Sequence, residues 1–138
     1  MNKLIYASRG GNTKKLALAV AKGAGVAALP VGEAGEISGV DTLFVGASVY
    51  AGKIDGSLRG FLGKIKRGDV GSAVVFGSAA GNKSAADEIR EILAAQDIPV
   101  SDKVFQCRGS FLLANRGRPN EEDLAKAEAF AREIVEKG

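Results

Sequence analysis

The sequence contains no histidine and only one cysteine, Cys107. The lack of histidine excludes His-based catalytic triads, histidine general bases and most zinc sites. A single cysteine also excludes an internal disulfide and a cysteine-rich metal site. Because Cys107 has no CxxC partner, we expect it to be a small buried apolar residue rather than a redox thiol.

Long hydrophobic runs are also missing. No apolar stretch reaches the length of a membrane span, and the run at the N-terminus soon meets Arg9, which makes it too short for a signal peptide. We therefore expect a cytoplasmic protein that does not bind membranes. With 138 residues, 46% of them hydrophobic, the chain is long and apolar enough for one packed domain spanning residues 1–138.

The charge balance gives little indication of nucleic-acid binding. The net charge is +3, and the basic residues form no run and are not interleaved with aromatic residues. This pattern favours a solvated basic surface, so no nucleic-acid partner is expected.

Strand-like and helix-like segments alternate along the whole chain. Short apolar runs predict strands over Lys3–Ser8, Val26–Val31, Thr42–Ala47, Ser72–Gly77 and Val104–Cys107. Helical spacing joins Leu16 to Val20, Leu58 to Ile65 and Ile89 to Leu93, and an acidic stretch from Pro119 to Asp123 opens a last helix. The glycine-rich stretch from Gly32 to Gly39 is expected to be a loop with a helical turn, which leaves the second helix of such a fold short or missing.

This alternation predicts an α/β fold with three layers, in which helices cover both faces of a doubly wound, five-stranded parallel sheet. The number of strands and the chain length suit the strand order 2-1-3-4-5, which places a ligand crevice at the carboxyl ends of the strands. Pro30 cannot donate to a neighbouring strand, so the second strand is expected at an edge.

The clearest chemical signal lies between the first strand and the first helix, in the hexapeptide Ser8-Arg9-Gly10-Gly11-Asn12-Thr13. Glycines let the backbone approach a phosphate closely, and the helix start adds free N–H groups and a positive dipole end. The alternative to phosphate binding is that the hexapeptide is only a tight turn in which Asn12 or Thr13 caps the helix.

Two further loops follow the third and fourth strands. The first of them is Ser48-Val49-Tyr50-Ala51-Gly52-Lys53, and the second is Gly77-Ser78-Ala79-Ala80-Gly81-Asn82. The second loop continues to Ser84 and differs from the P-loop pattern GxxxxGK[ST] only at Asn82. The missing glycine, and the lack of an acidic residue at the end of the first or third strand, argue against triphosphate binding. Ser8 and Arg9 stand where a receiver domain needs acidic residues, so we reject that class.

These three loops together resemble those of flavodoxins. The family's first loop has the form Ser/Thr-x-Thr-Gly-Asn-Thr, which this chain matches except at Gly10. The loop after the third strand resembles the Ser-x-x-Tyr-x-Gly-Lys loop of short flavodoxin-like proteins, with one residue fewer between Ser48 and Tyr50. The resemblance spans nearly the whole chain and implies a flavodoxin-like fold with non-covalently bound FMN.

The resemblance also implies site residues. The phosphate role carries over to Ser8, Gly11, Asn12 and Thr13, and to Arg9 and Gly10 through the backbone. Tyr50 is expected to stack on the flavin ring, and Gly52 permits a peptide flip beside it. The implied cofactor contacts of the other two loops are Ser48, Val49, Ala51, Lys53, Gly77, Ser78, Ala79, Ala80 and Gly81.

Three functions remain open from the sequence. The first is an electron carrier; the second is an FMN-dependent NAD(P)H:quinone or protoporphyrinogen-type oxidoreductase; the third is a flavin-free phosphate-binding scaffold of the same fold. Flavodoxins are commonly acidic, whereas these loops carry Arg9, Lys53 and Lys83 against Asp55. For the carrier we therefore expect redox partner proteins with acidic docking surfaces, and a semiquinone/hydroquinone potential that is less negative than in acidic flavodoxins.

Overall fold

The computed structural model describes residues 1–7, 12–48, 54, 56–79, 85–108 and 120–137. Five strands and four α-helices alternate over these residues. They are β1 (Asn2–Tyr6), α1 (Asn12–Ala24), β2 (Ala28–Pro30), β3 (Val40–Ser48), α2 (Gly56–Leu62), β4 (Val70–Ala79), α3 (Ala85–Ala95), β5 (Val100–Arg108) and α4 (Glu121–Lys137).

The five strands form one parallel sheet in the order β2-β1-β3-β4-β5, which confirms the predicted topology. Pro30 ends β2 at the edge of the sheet, as its missing N–H requires. Ala73 pairs with Val100 and Val75 with Val104, so β5 advances four residues while β4 advances two. Because Val100 already pairs with Ala73, β5 begins at Val100, and the expectation that this strand starts at Val104 is wrong.

Side chains on the two faces of the sheet enter separate cores. Residues alternate along each strand, so that Leu43 and Val45 of β3 face one side while Phe44 faces the other. Leu58 and Leu62 of α2 and Ile89 and Leu93 of α3 cover the first side; Leu16 and Val20 of α1 and Ala127 and Ala131 of α4 cover the second. The predicted three layers are thereby confirmed.

Helices α1 and α4 approach each other closely on the second face. A Cβ on Gly23 would lie 2.1 Å from the backbone oxygen of Glu128, so this contact needs glycine. Beside it, Arg132 donates a hydrogen bond of 2.6 Å to the Glu128 carboxylate, and the Lys22 ammonium lies 3.5 Å away. The bond from Arg132, together with Lys22, holds the pKa of the Glu128 carboxyl below its ordinary value.

One predicted helix, α2, is shorter than expected. Helix α2 ends at Leu62, so the expectation that the helix reaches Ile65 is wrong. Ile65 is nevertheless buried, because the chain turns after Gly63 and returns its side chain to the core. Between β2 and β3 the chain forms only a 3-10 turn, Val31–Glu33, in agreement with the expected loop and helical turn.

The last helix begins with a reciprocal cap. The N–H of Asn120 donates to the Asp123 carboxylate, and the N–H of Asp123 donates to the Asn120 side-chain oxygen, both over 2.9 Å. This satisfies donors that the first turn of a helix leaves unpaired. The acidic start predicted for this helix is therefore confirmed, with Asn120 as its cap.

Candidate functional site

The carboxyl ends of the central strands meet at one edge of the sheet, which we call the carboxyl edge. The N–H of Ala7, just after β1, donates to the carbonyl oxygen of Gly46 over 3.0 Å. Ser48 at the end of β3 pairs in register with Ser78 of β4. The chain therefore leaves the sheet at neighbouring points to enter residues 8–11, 49–53 and 80–84, the three segments that contain most of the predicted site.

The first segment ends where α1 begins. The helix starts at Asn12, has no acidic residue in its first turn and is the next described element after β1, which ends beside Gly46. Thr13 is 1% exposed, so this threonine is part of the packed start of the helix. Ser8, Arg9, Gly10 and Gly11 lie outside the described residues, and their predicted phosphate role stays a prediction.

The second segment lies between two residues with fixed places. Ser48 belongs to β3, and Ile54 is 4% exposed, packed in the core that α2 and α3 cover. The N–H of Ile54 donates to the Glu88 carboxylate of α3 over 3.0 Å. The predicted contacts Val49, Tyr50, Ala51, Gly52 and Lys53 lie outside the described residues.

The role of Glu88 is not apparent from the sequence. This residue lies in the first turn of α3, where an acidic residue is ordinary, and its partner Ile54 is 34 residues away. Only the packing of α3 beside the β3–α2 connection brings the two together. No local pattern in the sequence could have revealed this contact.

The third segment begins later than expected. Strand β4 continues to Ala79, two residues beyond the predicted end at Gly77, so Ser78 and Ala79 belong to the strand and the expectation that they lie in a loop is wrong. A Cβ on Gly77 would lie 2.2 Å from the backbone oxygen of Ala47, so glycine is required for the close approach of β4 to β3. Ala80 and Gly81 lie outside the described residues, as do Asn82, Lys83 and Ser84.

The single cysteine lies near the carboxyl end of β5. Cys107 of β5 pairs in register with Ser78, which places its backbone beside the third segment. Whether its side chain is buried stays a prediction, because that side chain and residues 109–119 lie outside the description.

The residue types at these ends are compatible with an anionic ligand. The described residues that end β1, β3 and β4 and begin α1 include serine, asparagine and threonine but no aspartate or glutamate. A helix N-terminus and uncharged hydroxyl and amide donors are what a phosphate group requires. Within the described residues no group of acidic or cysteine side chains is arranged to hold a metal ion.

The described helices include none that is long and apolar enough to cross a membrane. This agrees with the lack of a long hydrophobic run in the sequence.

Comparison with known proteins gives a family and a fold. The sequence model of the family described as flavodoxin domain matches residues 3–107, while no curated protein matches the sequence. The structure of oxidised Flavodoxin 2 from Bacillus cereus has a TM-score of 0.72 at 21% identity, covering 100% of each chain. A flavodoxin from the domain Archaea has a TM-score of 0.71 at 21% identity, covering 99% of this chain and 96% of that one.

A longer protein contains the same fold. Rubredoxin oxygen:oxidoreductase from Desulfovibrio gigas has a TM-score of 0.79 at 20% identity, covering 99% of this chain. The match covers 36% of that chain, so the present protein spans about a third of its length.

Proposed function

The chain belongs to the flavodoxin domain family, whose sequence model covers residues 3–107, and on this premise we propose that it binds FMN non-covalently and carries electrons between partner proteins. Family membership and the strand order support a flavodoxin-type flavin-binding redox protein. The observation that carries the proposal is the carboxyl edge, where Ala7, Ser48 and Ala79 open three loop segments beside the start of α1.

Each segment has a proposed part in holding the cofactor. Ser8, Gly11, Asn12 and Thr13, with the backbone of Arg9 and Gly10, would hold the phosphate at the start of α1. Tyr50 would stack on the ring, and the small residues that follow β4 would leave room for backbone donors on its other side. A bound flavin supplies one-electron redox chemistry, while the protein sets its orientation, its access and its potential.

Flavin binding is the first test of this function. Purified protein is expected to quench the fluorescence of added FMN in a saturable titration, and the holoprotein to show a flavin absorption band. As an electron carrier it should not oxidise NADPH in the presence of a quinone. Steady turnover of NADPH would support the oxidoreductase instead, and a lack of flavin binding would leave only the phosphate-binding scaffold.

For the partner, we propose an acidic protein surface. Helix α1 contains three lysines and no acidic residue. Lys14 and Lys15 are exposed in the turn that begins at the carboxyl edge, and Leu18, one turn later, is 54% exposed. These positive charges beside a small exposed apolar residue, next to the proposed flavin site, support an anionic partner. Such a partner would be attracted by long-range electrostatics and would then dock.

Charged electron acceptors test this surface without the natural partner. Ferricyanide, an anion, should oxidise the reduced holoprotein several-fold more slowly as salt screens the lysines. The double variant Lys14→Glu/Lys15→Glu should show a weaker salt dependence of this rate. A matched variant, Lys64→Glu/Lys66→Glu, changes the same charge between α2 and β4, at the opposite edge of the sheet. Equal effects of the two variants would contradict a docking surface on α1.

A further inference from the structure

Helices α1 and α4 lie side by side and carry charges of opposite sign. Every charged residue of α1 is a lysine, and all three, Lys14, Lys15 and Lys22, are exposed. Helix α4 instead contains six acidic and three basic residues. The helical layer on this side of the sheet, which we call the α1–α4 face, is therefore basic along one half and acidic along the other.

The cations of α4 do not cancel this difference. The Lys126 ammonium lies 3.2 Å from the Glu122 carboxylate, and the Arg132 guanidinium lies 2.6 Å from the Glu128 carboxylate, one turn away on the same helix. Over residues 121–136, four acidic side chains and only these two basic ones are exposed. The exposed half that α4 forms thus keeps a negative charge.

Exposed apolar side chains lie between these charges. Leu18 is 54% exposed and lies one turn after Lys14 and one turn before Lys22, at the centre of the basic half. On the acidic half, Ala125 and Ala129 are exposed one turn apart. Their small side chains leave room for a leucine from a facing helix.

The contact between the two helices fixes which of their turns lie level. A Cβ on Gly23 would lie 2.1 Å from the backbone oxygen of Glu128 and 3.1 Å from the Cβ of Ala131. Both helices follow strands that end at the carboxyl edge and pack back over the same face of the sheet, so they run parallel. Counting back along both helices, Lys14 lies level with the start of α4, and Leu18 with its second turn.

A face with one basic and one acidic half is complementary to itself. A two-fold axis parallel to the helices places α1 of each copy over α4 of the other, so every contact forms twice. We propose that the α1–α4 face binds a second copy of this chain in this way. Lys14 and Lys15 then lie over the turn of the other copy that contains Glu121 and Glu122, and Leu18 lies over the alanines that follow.

The size of the face sets the strength of this association. Helix α1 has 13 residues and is about 20 Å long, and two helices side by side are also about 20 Å wide. Each copy would bury roughly 400 Å², which is typical of weak and transient contacts. The dimer is therefore reversible and depends on its charge pairs, which salt screens.

Self-association regulates the docking surface proposed above. A second copy covers Lys14, Lys15 and Leu18, so it competes with an acidic partner for the same residues. This consequence rests on the proposed function, whereas the dimer itself needs neither flavin nor redox partner. A protein that fails to bind flavin leaves the dimer untouched, and a monomeric protein leaves the flavin site untouched.

Sedimentation of the full chain with exchanged charges tests the proposal. At low salt the weight-average mass of the wild-type protein should approach twice that of one chain as its concentration rises to about 1 mM, in keeping with a small interface. It should return to one chain in about 1 M salt, where charges are screened over about 3 Å. Lys14→Glu/Lys15→Glu makes both halves acidic, and Glu121→Lys/Glu122→Lys makes both basic, so each variant alone should stay monomeric.

The decisive sample is an equimolar mixture of these two double variants. In a mixed dimer both contacts again join acidic to basic turns, so the mixture should regain the twofold mass that neither variant reaches alone. Lys64→Glu/Lys66→Glu is the matched control, because it changes the same charge between α2 and β4, away from this face, and it should associate like the wild type.

NMR of the wild-type protein locates the interface without any substitution. On dilution at low salt, the amide signals of Leu18 and Ala125 should shift, while that of Gly60 on α2 should stay in place. A wild-type mass that stays at one chain, or that does not fall with salt, would overturn the proposal. So would a monomeric mixture of the folded variants, or dilution shifts confined to α2 and α3.

Discussion

Truncating Phe76 to alanine is expected to lower the free energy of unfolding by about 3–5 kcal/mol, the usual cost of emptying an aromatic site in a core. Phe76 is fully buried on the face of the sheet that α1 and α4 cover. Its ring lies over Gly46 of the neighbouring strand, which pairs in register with it. A Cβ on Gly46 would lie 2.3 Å from two atoms of that ring, so the glycine provides the space that the ring occupies.

The two positions should therefore be coupled. Gly46→Ala alone is expected to cost about 1–3 kcal/mol by overpacking. In the Phe76→Ala background the added methyl group enters vacated space, so the double variant should be less destabilised than the sum of the single changes. Urea unfolding of the four proteins measures this coupling. Gly60→Ala is the matched control, because Gly60 lies in helix α2 and a Cβ there would have no atom within 4 Å. This change should raise the free energy of unfolding by about 0.5–1 kcal/mol. Strict additivity would show that Gly46 does not make room for the ring.

Changes in the first loop segment are expected to abolish the preference for FMN over riboflavin. Gly11→Val and Asn12→Leu should each raise the dissociation constant of FMN about a hundredfold, as expected when more than one charge-assisted hydrogen bond to a phosphate is lost. Riboflavin has no phosphate, so its affinity should change little. Parallel fluorescence titrations with the two flavins measure the difference.

The control for this experiment is Gly60→Val, which adds the same side chain on α2, where a Cβ has open space. It should leave both affinities unchanged. Equal binding of FMN and riboflavin by the wild-type protein would contradict the phosphate assignment. So would undiminished FMN binding by a folded Gly11→Val protein.

The layout of the sheet could be predicted because its physical causes are local. The run Thr42–Ala47 is nearly all apolar, as a strand covered on both faces must be, and it became the central strand β3. Alternation with helices then leaves parallel pairing by right-handed crossovers. The edge position of β2 followed from one residue, Pro30, which has no N–H to donate.

The predictions from sequence are wrong or incomplete where contacts between distant parts of the chain determine the local structure. Ser78 and Ala79 were expected in a loop, but pairing with β3 and β5 carries β4 beyond Gly77 to Ala79, and the backbone of β3 occupies the position of a Cβ on Gly77. The contact of Glu88 with Ile54 likewise depends on how α3 packs, and neither residue shows it in its own neighbourhood. The predicted contacts in residues 8–11, 49–53, 80 and 81 stay predictions, since they lie beyond the described parts of the chain.

The most direct test of the account is an NMR titration of isotope-labelled protein with FMN. The amide signals of Ala7, Asn12, Ser48 and Ile54, all at the carboxyl edge, are expected to shift as FMN is added. Those of Val40 and Gly71, at the amino ends of β3 and β4, should stay in place. Shifts confined to the amino ends, or none at saturating FMN, would contradict a flavin site at the carboxyl edge.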